Sequence, residues 1–204
     1  MRPIAFGLLV TAAAVLAPTP AASAVPAADA GLVDIHTVVP DAIVDLRYAT
    51  TDNFVGQQLY PADAHCLVHE SMAAGLAAAA AALRPDRLVF WDCYRPHEVQ
   101  VRMFQAVPDP NWVARPGTSA RSHEAGRSVD VTIAGVDMGT GFDDFTPRAK
   151  AYATDGVSPT EQANRARLRQ AMQSGGLSVY SGEWWHFDGP GAAEPRPFLD
   201  VPLD

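Results

Sequence analysis

Positive charge is scarce in this sequence, and lysine is almost absent. Lys150 is the only lysine in 204 residues, and 15 lysine and arginine side chains face 23 acidic ones, for a formal net charge of −8 at pH 7. A catalytic Schiff base or a phosphate-binding loop needs a suitably placed lysine, so this count nearly excludes both. An acidic chain without a basic cluster also argues against nucleic acid as a partner and does not favour binding to anionic lipid.

No stretch after the first two dozen residues is apolar enough to cross a membrane. Residues 1–24 contain one cation, Arg2, then an apolar run from Ile4 to Ala17, and end in the small residues Ala-Ser-Ala. This order is typical of a secretory signal peptide, and the run is too short to span a bilayer comfortably. An uncleaved N-terminal anchor is the alternative. We expect a secreted or cell-envelope protein without stable membrane association after cleavage.

Cysteine is also nearly absent, since Cys66 and Cys93 are the only two in the chain. In an exported protein, an isolated pair of cysteines more often forms a disulfide than a metal site. Sequence does not give the geometry that a disulfide requires. The pair is therefore a candidate disulfide.

The remaining chain has the length of one domain with a substantial core. Residues 25–40 are predicted to be a flexible mature N-terminus, and residues 41–204 form the predicted domain. Strands and helices follow one another in it without regular alternation, which indicates a single α+β domain with a mainly antiparallel central sheet flanked by helices. The predicted strands lie near 43–48, 87–92, 127–135 and 177–188, and the predicted helices near 67–84, 95–107 and 158–175.

Two histidines lie close in sequence to acidic residues, in or next to apparent strands. His123 precedes a strand that contains Asp130, and His186 follows Glu183 in the stretch GEWWHF. Two imidazoles and one carboxylate make a three-ligand zinc site that leaves a coordination position open, as catalysis requires. Glu183 can then act outside the ligand set as a base toward water.

Two other groups of residues offer weaker alternatives. His65, Cys66 and His69 are close enough in sequence to form a metal cluster, but Cys66 has Cys93 as a better partner and His69 falls in the predicted alanine-rich helix. The stretch HEAGR starts like the helical zinc motif His-Glu-x-x-His, but the fifth residue is arginine. Glu124 is accordingly expected to be a solvated loop acid.

Several motifs together resemble one family. SHEAGRSVDVTI at 122–133 and GEWWHF at 182–187 resemble the D-alanyl-D-alanine dipeptidases, the zinc D,D-dipeptidases that include the vancomycin-resistance dipeptidase. VDLRYATTDNFVG, FWDCYRP, MGTGFDDF and NRARLRQAM are similar to the same family and occur in this order. The resemblance covers residues 45–204 and implies a hedgehog/D,D-peptidase-like fold.

The resemblance also implies roles for individual residues. It implies one Zn²⁺ per chain, held by His123, Asp130 and His186, with Glu183 as the general base. It implies that Arg95 stabilises the oxyanion, although a structural salt bridge to Asp92 is the alternative. It implies that Asp143 binds the ammonium group of the substrate, although a turn acid is the alternative. The family's serine helps to bind the substrate carboxylate, and in this chain either Arg121 or Ser122 is expected to take its place. The chain departs from the family at Arg121, where serine is usual, and at Ser128, where alanine is usual.

The function implied is zinc-dependent hydrolysis of the small dipeptide D-Ala-D-Ala to free D-alanine outside the cytoplasm. One alternative is a zinc D,D-carboxypeptidase or endopeptidase acting on peptidoglycan stem peptides. Another is a non-catalytic module that binds cell-wall peptide. Glu183 argues against the module, because binding alone needs no base beside the metal.

Overall fold

The computed structural model describes residues 24–204, so the predicted signal peptide lies outside the described residues except for its last alanine. Seven strands and four α-helices make up this part, with short 3₁₀ turns between them. They are β1 (Leu32–Asp34), α1 (Ile35–Val38), β2 (Ile43–Val44), β3 (Leu67–His69), α2 (Ala73–Leu83), β4 (Leu88–Asp92), α3 (His97–Ala106), β5 (Ser128–Ile133), α4 (Pro159–Ser174), β6 (Ser178–Val179) and β7 (His186–Asp188).

A five-stranded sheet forms the centre of the fold, in the order β2-β4-β5-β7-β6. Only β2 and β4 run parallel, and the other three pairings are antiparallel. The predicted α+β domain with a mainly antiparallel sheet is therefore confirmed. β1 and β3 form a separate antiparallel pair.

Both faces of β5 are buried, although the sequence alternates apolar and polar residues there. Val129, Val131 and Ile133 are at most 1 % exposed and pack in the core. Asp130 and Ser128 on the opposite face are 3 % and 0 % exposed. Buried polar groups need partners, and the partners of these two side chains belong to the candidate site described below.

Helices α2 and α4 pack closely against each other, and α4 also contacts the edge strand β6. A Cβ atom on Gly75 would lie 2.3 Å from the carbonyl oxygen of Gly175, so the close contact requires glycine. Helix α4 begins with the predicted capping box, in which Ser158 and Glu161 bond each other's backbone N–H groups. None of the helices among residues 24–204 has the length and apolar character that a bilayer span requires.

The N-terminal segment differs from its prediction. Residues 25–40 were expected to be flexible, but they include β1 and α1, with Leu32 2 % and Ile35 0 % exposed. Antiparallel pairing with β3 orders this short strand. That pairing also keeps His69 out of the alanine-rich helix, which begins at Ala73.

Candidate active site

Three acidic and basic side chains form a row across the central sheet. In the strand register, Asp130 of β5 lies between Asp92 of β4 and His186 of β7. Directly opposed residues on neighbouring strands have their side chains on the same face. The pairing therefore brings Asp130 and His186 into contact although they are 56 residues apart in the chain.

A tight turn adds His123 to this row. His123 lies in a 3₁₀ turn, Ser122–Ala125, which ends at Gly126 with left-handed backbone (φ 63°). A Cβ on Gly126 would lie 2.5 Å from the Leu32 side chain, so glycine is needed for both reasons. The imidazole Nδ1 lies 2.8 Å from the Cys93 carbonyl, which turns Nε2 toward Asp130.

The three side chains offer a triangle of donor atoms. His123 Nε2 and His186 Nδ1 are 3.1 Å apart, and they lie 3.3 Å and 3.0 Å from Asp130 Oδ1. Ligand atoms ~2.0–2.2 Å from a tetrahedral zinc ion are separated by about 3.3 Å. His123, Asp130 and His186 therefore form a site that can hold a metal ion, and the fit requires little adjustment.

The electrostatics of the triangle also favour a cation. Burial alone would lower the pKa of His186, but hydrogen bonds to Asp130 and Asp188 raise it to about 10. Burial would likewise raise the pKa of Asp130, but the two histidines hold it below its usual range. Both pKa shifts mean that these groups stabilise positive charge between them, which a divalent cation also supplies.

Glu183 faces the same cavity, which has a volume of about 650 Å³ and is lined by all three candidate ligands. Trp184 and Trp185, next to it in sequence, are 2 % and 1 % exposed and anchor this stretch in the core. Trp184 donates a hydrogen bond from Nε1 to Thr140, 2.8 Å away. Burial raises the pKa of Glu183 to about 7, the range in which a general base operates near neutral pH.

Arg95 reaches the site from the end of β4, held by two side chains. Its Nε and one terminal nitrogen donate to Asp92 Oδ2 at 2.9 and 2.6 Å, and the other terminal nitrogen donates to Gln100 at 2.6 Å. The same guanidinium lines the cavity and lies 3.9 Å from Asp130. The salt bridge to Asp92 and a position facing the reacting groups thus occur together.

Asp143 lines the cavity as well. Its carboxylate accepts a hydrogen bond from the Tyr48 hydroxyl, with oxygen distances of 3.0 and 3.3 Å. Its backbone is left-handed (φ 55°), a conformation that is uncommon for a residue other than glycine. Burial and the nearby charge of Asp130 raise the pKa of Asp143, so a cation in the cavity would stabilise its ionised form.

Comparison with known proteins identifies the family of the chain. The profile of peptidase family M15, described as D-Ala-D-Ala dipeptidase, matches residues 28–204. A D-alanyl-D-alanine dipeptidase of Escherichia coli (strain K12) is 38 % identical over 169 residues, covering 79 % of this chain and 86 % of that protein. The enzyme of the same name from Enterococcus faecium is 29 % identical over 205 residues, covering 85 % and 98 % of the two chains. The chain belongs to the D-Ala-D-Ala dipeptidase family.

Arg121 and Ser128, the two positions predicted to depart from the family, both lie near the site. Ser128 is buried, and its hydroxyl donates to Asp188 at 2.5 Å. Arg121 is exposed at the edge of the cavity, and within the described residues it makes no ion pair. Ser122, predicted to bind substrate, lines the cavity but donates its hydroxyl proton to Ser128 over 2.9 Å.

The two cysteines of the peptidase form a disulfide, with Cα atoms 5.3 Å apart. This bond connects the residue before β3 to the segment whose Cys93 carbonyl fixes the His123 ring. The alternative cluster of His65, Cys66 and His69 does not assemble, because His65 contacts Asp34 and His69 contacts Arg127.

The expectation for Glu124 is wrong. Its side chain is 13 % exposed and bonds His97 at 2.6 Å, so it is not a solvated loop acid.

Three contacts in the site are not predicted from the sequence: Tyr48 holds Asp143, Gln100 holds Arg95, and Asp188 contacts His186 Nε2 at 3.1 Å. Asp188 alone carried a local signal, because residues two apart on a strand share a face. The contacts of Tyr48 and Gln100 depend on tertiary packing. The salt bridge between Asp92 and Arg95, three residues apart, is the one that the sequence indicated.

Proposed function

We propose that this peptidase hydrolyses D-Ala-D-Ala to two molecules of D-alanine with a zinc ion held by His123, Asp130 and His186. The observation that carries the proposal is the 3.0–3.3 Å triangle of donor atoms opening onto the cavity beside Glu183. Three protein ligands leave a position free for chemistry, and imidazole and carboxylate donors suit zinc.

When bound, zinc supplies Lewis-acid polarisation of the scissile carbonyl and lowers the pKa of water. Glu183 takes the proton of the attacking water and transfers it to the leaving amine. Arg95 donates to the carbonyl oxygen as negative charge develops there. Trp185, which lines the cavity, limits access of bulk water to Glu183.

The charges around the cavity match a zwitterionic dipeptide. Asp143 is proposed to pair with the substrate ammonium group. Arg121 and Ser122 are the two candidates for binding the substrate carboxylate, but the hydroxyl proton of Ser122 is directed to Ser128. We therefore propose Arg121, at the cavity's edge and without an ion pair among residues 24–204, as the carboxylate partner.

The test is chromatographic detection of D-alanine released from D-Ala-D-Ala, with and without a chelator. We expect activity that disappears with chelation and returns on addition of zinc. Glu183→Gln should abolish turnover with zinc still bound, whereas the exposed Glu98→Gln serves as a matched control with normal turnover. Wild-type-like turnover in Glu183→Gln would refute the mechanism.

A second candidate, D,D-carboxypeptidase activity on peptidoglycan stem peptides, is favoured by the cavity volume of about 650 Å³. Two alanine residues do not fill a space that falls within the ~300–1,000 Å³ range of pockets for larger ligands. Hydrolysis of an N-acetylated stem peptide together with inactivity toward free D-Ala-D-Ala would establish this function instead.

We also propose that the protein acts outside the cytoplasm. Residues 1–24 follow the pattern of a secretory signal peptide, and the Cys66–Cys93 disulfide is typical of an oxidising compartment. Cell fractionation with N-terminal sequencing is the measurement. Cytosolic protein that retains residues 1–24 would contradict the proposal.

A further inference from the structure

A chain of three polar side chains lies behind the metal-ligand candidate His186. The carboxylate Oδ1 of Asp188 accepts a hydrogen bond from Ser128 Oγ at 2.5 Å and lies 3.1 Å from His186 Nε2. Ser128 in turn accepts one from Ser122 Oγ at 2.9 Å. Ser128 and Asp188 are directly paired between β5 and β7, so the sheet register fixes the chain.

The direction of each hydrogen bond follows from the chemistry of its members. An ionised carboxylate only accepts, so both Ser128 and His186 must donate to Asp188. Each serine hydroxyl has a single proton. Because the proton of Ser128 goes to Asp188, the oxygen of Ser128 is free to accept the proton of Ser122.

His186 has a carboxylate on each side, and this makes the position of its proton important. Asp130 lies 3.0 Å from Nδ1, and Asp188 lies 3.1 Å from Nε2. Neutral imidazole has one N–H, so only one of these carboxylates can receive it. Metal binding through Nδ1 requires the proton on Nε2, and hence on the side of Asp188.

We propose that Asp188, oriented by Ser128 and Ser122, is the positioning residue that fixes His186 in the tautomer and ring orientation needed for metal binding. This inference rests on the proposed function through its metal site. It accounts for serine at position 128, where a buried hydroxyl that is 0 % exposed needs a partner. It also gives Ser122 a role in holding His186 and leaves the substrate carboxylate to another group.

The test measures zinc affinity by competition with a chromogenic chelator, so it does not depend on turnover. Loss of such a carboxylate partner typically weakens metal binding 10–100-fold, and we expect a decrease of about this size for Asp188→Asn. Ser128→Ala should weaken zinc binding in the same direction by a smaller factor. Asp86→Asn, which removes an exposed ion pair with Arg167, is the matched control and should bind zinc like the wild type.

A cobalt-substituted spectrum separates positioning from a general loss of stability. Asp188→Asn should shift the visible d–d bands because the orientation of the His186 ring changes, while Asp86→Asn should not. If Asp188→Asn does not fold, the zinc affinity and the cobalt spectrum of Ser128→Ala test the inference. Zinc affinity within twofold of wild type in Ser128→Ala and in any folded Asp188→Asn, with unchanged cobalt spectra, would overturn the inference.

Ser122→Ala provides an independent check on the last member of the hydrogen-bonded series Asp188, Ser128 and Ser122. We expect slightly weaker zinc binding and an unchanged KM for D-Ala-D-Ala. A raised KM with unchanged zinc affinity would overturn this assignment of Ser122 and identify it as a substrate contact. A wild-type protein that binds no zinc would contradict the proposed function and this inference together, whereas tight wild-type binding with unaffected variants would contradict the inference alone.

Discussion

Replacing Asp143 by asparagine tests how this peptidase selects dipeptides. An amide can still accept the 3.0 Å hydrogen bond from the Tyr48 hydroxyl, so the local structure should persist. What disappears is the negative charge proposed to face the substrate ammonium. The variant therefore isolates one electrostatic contact in the cavity.

The magnitude follows from the nature of that contact. A hydrogen bond to a charged group contributes about 1.5–3 kcal/mol, which corresponds to about 10- to 150-fold in affinity. We expect kcat/KM for D-Ala-D-Ala to fall by this factor in Asp143→Asn. Because burial raises the pKa of Asp143, the assay belongs at slightly alkaline pH, where the wild-type carboxyl is ionised.

The assay is a four-way comparison of two enzymes with two substrates. The wild type should prefer D-Ala-D-Ala to its N-acetyl derivative by about the same 10- to 150-fold. Asp143→Asn should have little preference, since the charge of the ammonium no longer has a partner. A variant that keeps the full wild-type preference would refute the assignment of Asp143 and would point to another group at the ammonium end.

Three further predictions concern the base, the oxyanion donor and the disulfide. Burial raises the pKa of Glu183 from 4.5 to about 7, and a bound cation lowers this pKa again. Because the ionised form of Glu183 is the base, kcat/KM should fall as the pH decreases through a midpoint between these two values. A pH–rate profile measures this midpoint. Arg95→Lys should lower kcat on the order of 100-fold with zinc still bound, because lysine keeps a charge opposite Asp92 but loses the planar fork; steady-state kinetics within a few-fold of wild type would contradict this. Replacing both Cys66 and Cys93 by serine should lower the free energy of unfolding by about 3.5 kcal/mol, because the disulfide closes a loop with sequence separation 27 and so reduces the entropy of the unfolded chain. An unchanged midpoint of urea denaturation would contradict this prediction.

The sequence could predict the candidate ligands but not how they meet. Residue types and their order indicated His123, Asp130 and His186, and the β5 strand was predicted from its alternation. Their convergence depends on the pairing of Asp130 with His186 across β5 and β7. Strand register between distant segments is a tertiary property that local periodicity does not contain.

Two other differences have similar causes. β1 has only three residues, too few to show a strand pattern, and it is ordered by its partner β3. For Arg95, the sequence is compatible with either a salt bridge to Asp92 or a catalytic position. The structure allows both because Asp92, 0 % exposed, anchors one side of the guanidinium while the other atoms remain at the cavity.

The most direct test of the proposed zinc site is anomalous diffraction at the zinc edge from crystals of the zinc-loaded protein. We predict one peak per chain, ~2.0–2.2 Å from His123 Nε2, an Asp130 carboxylate oxygen and His186 Nδ1. Glu183 should lie beside the ion and outside its ligand set. A peak at any other group of side chains, or zinc coordinated by Glu183 as a fourth protein ligand, would contradict it.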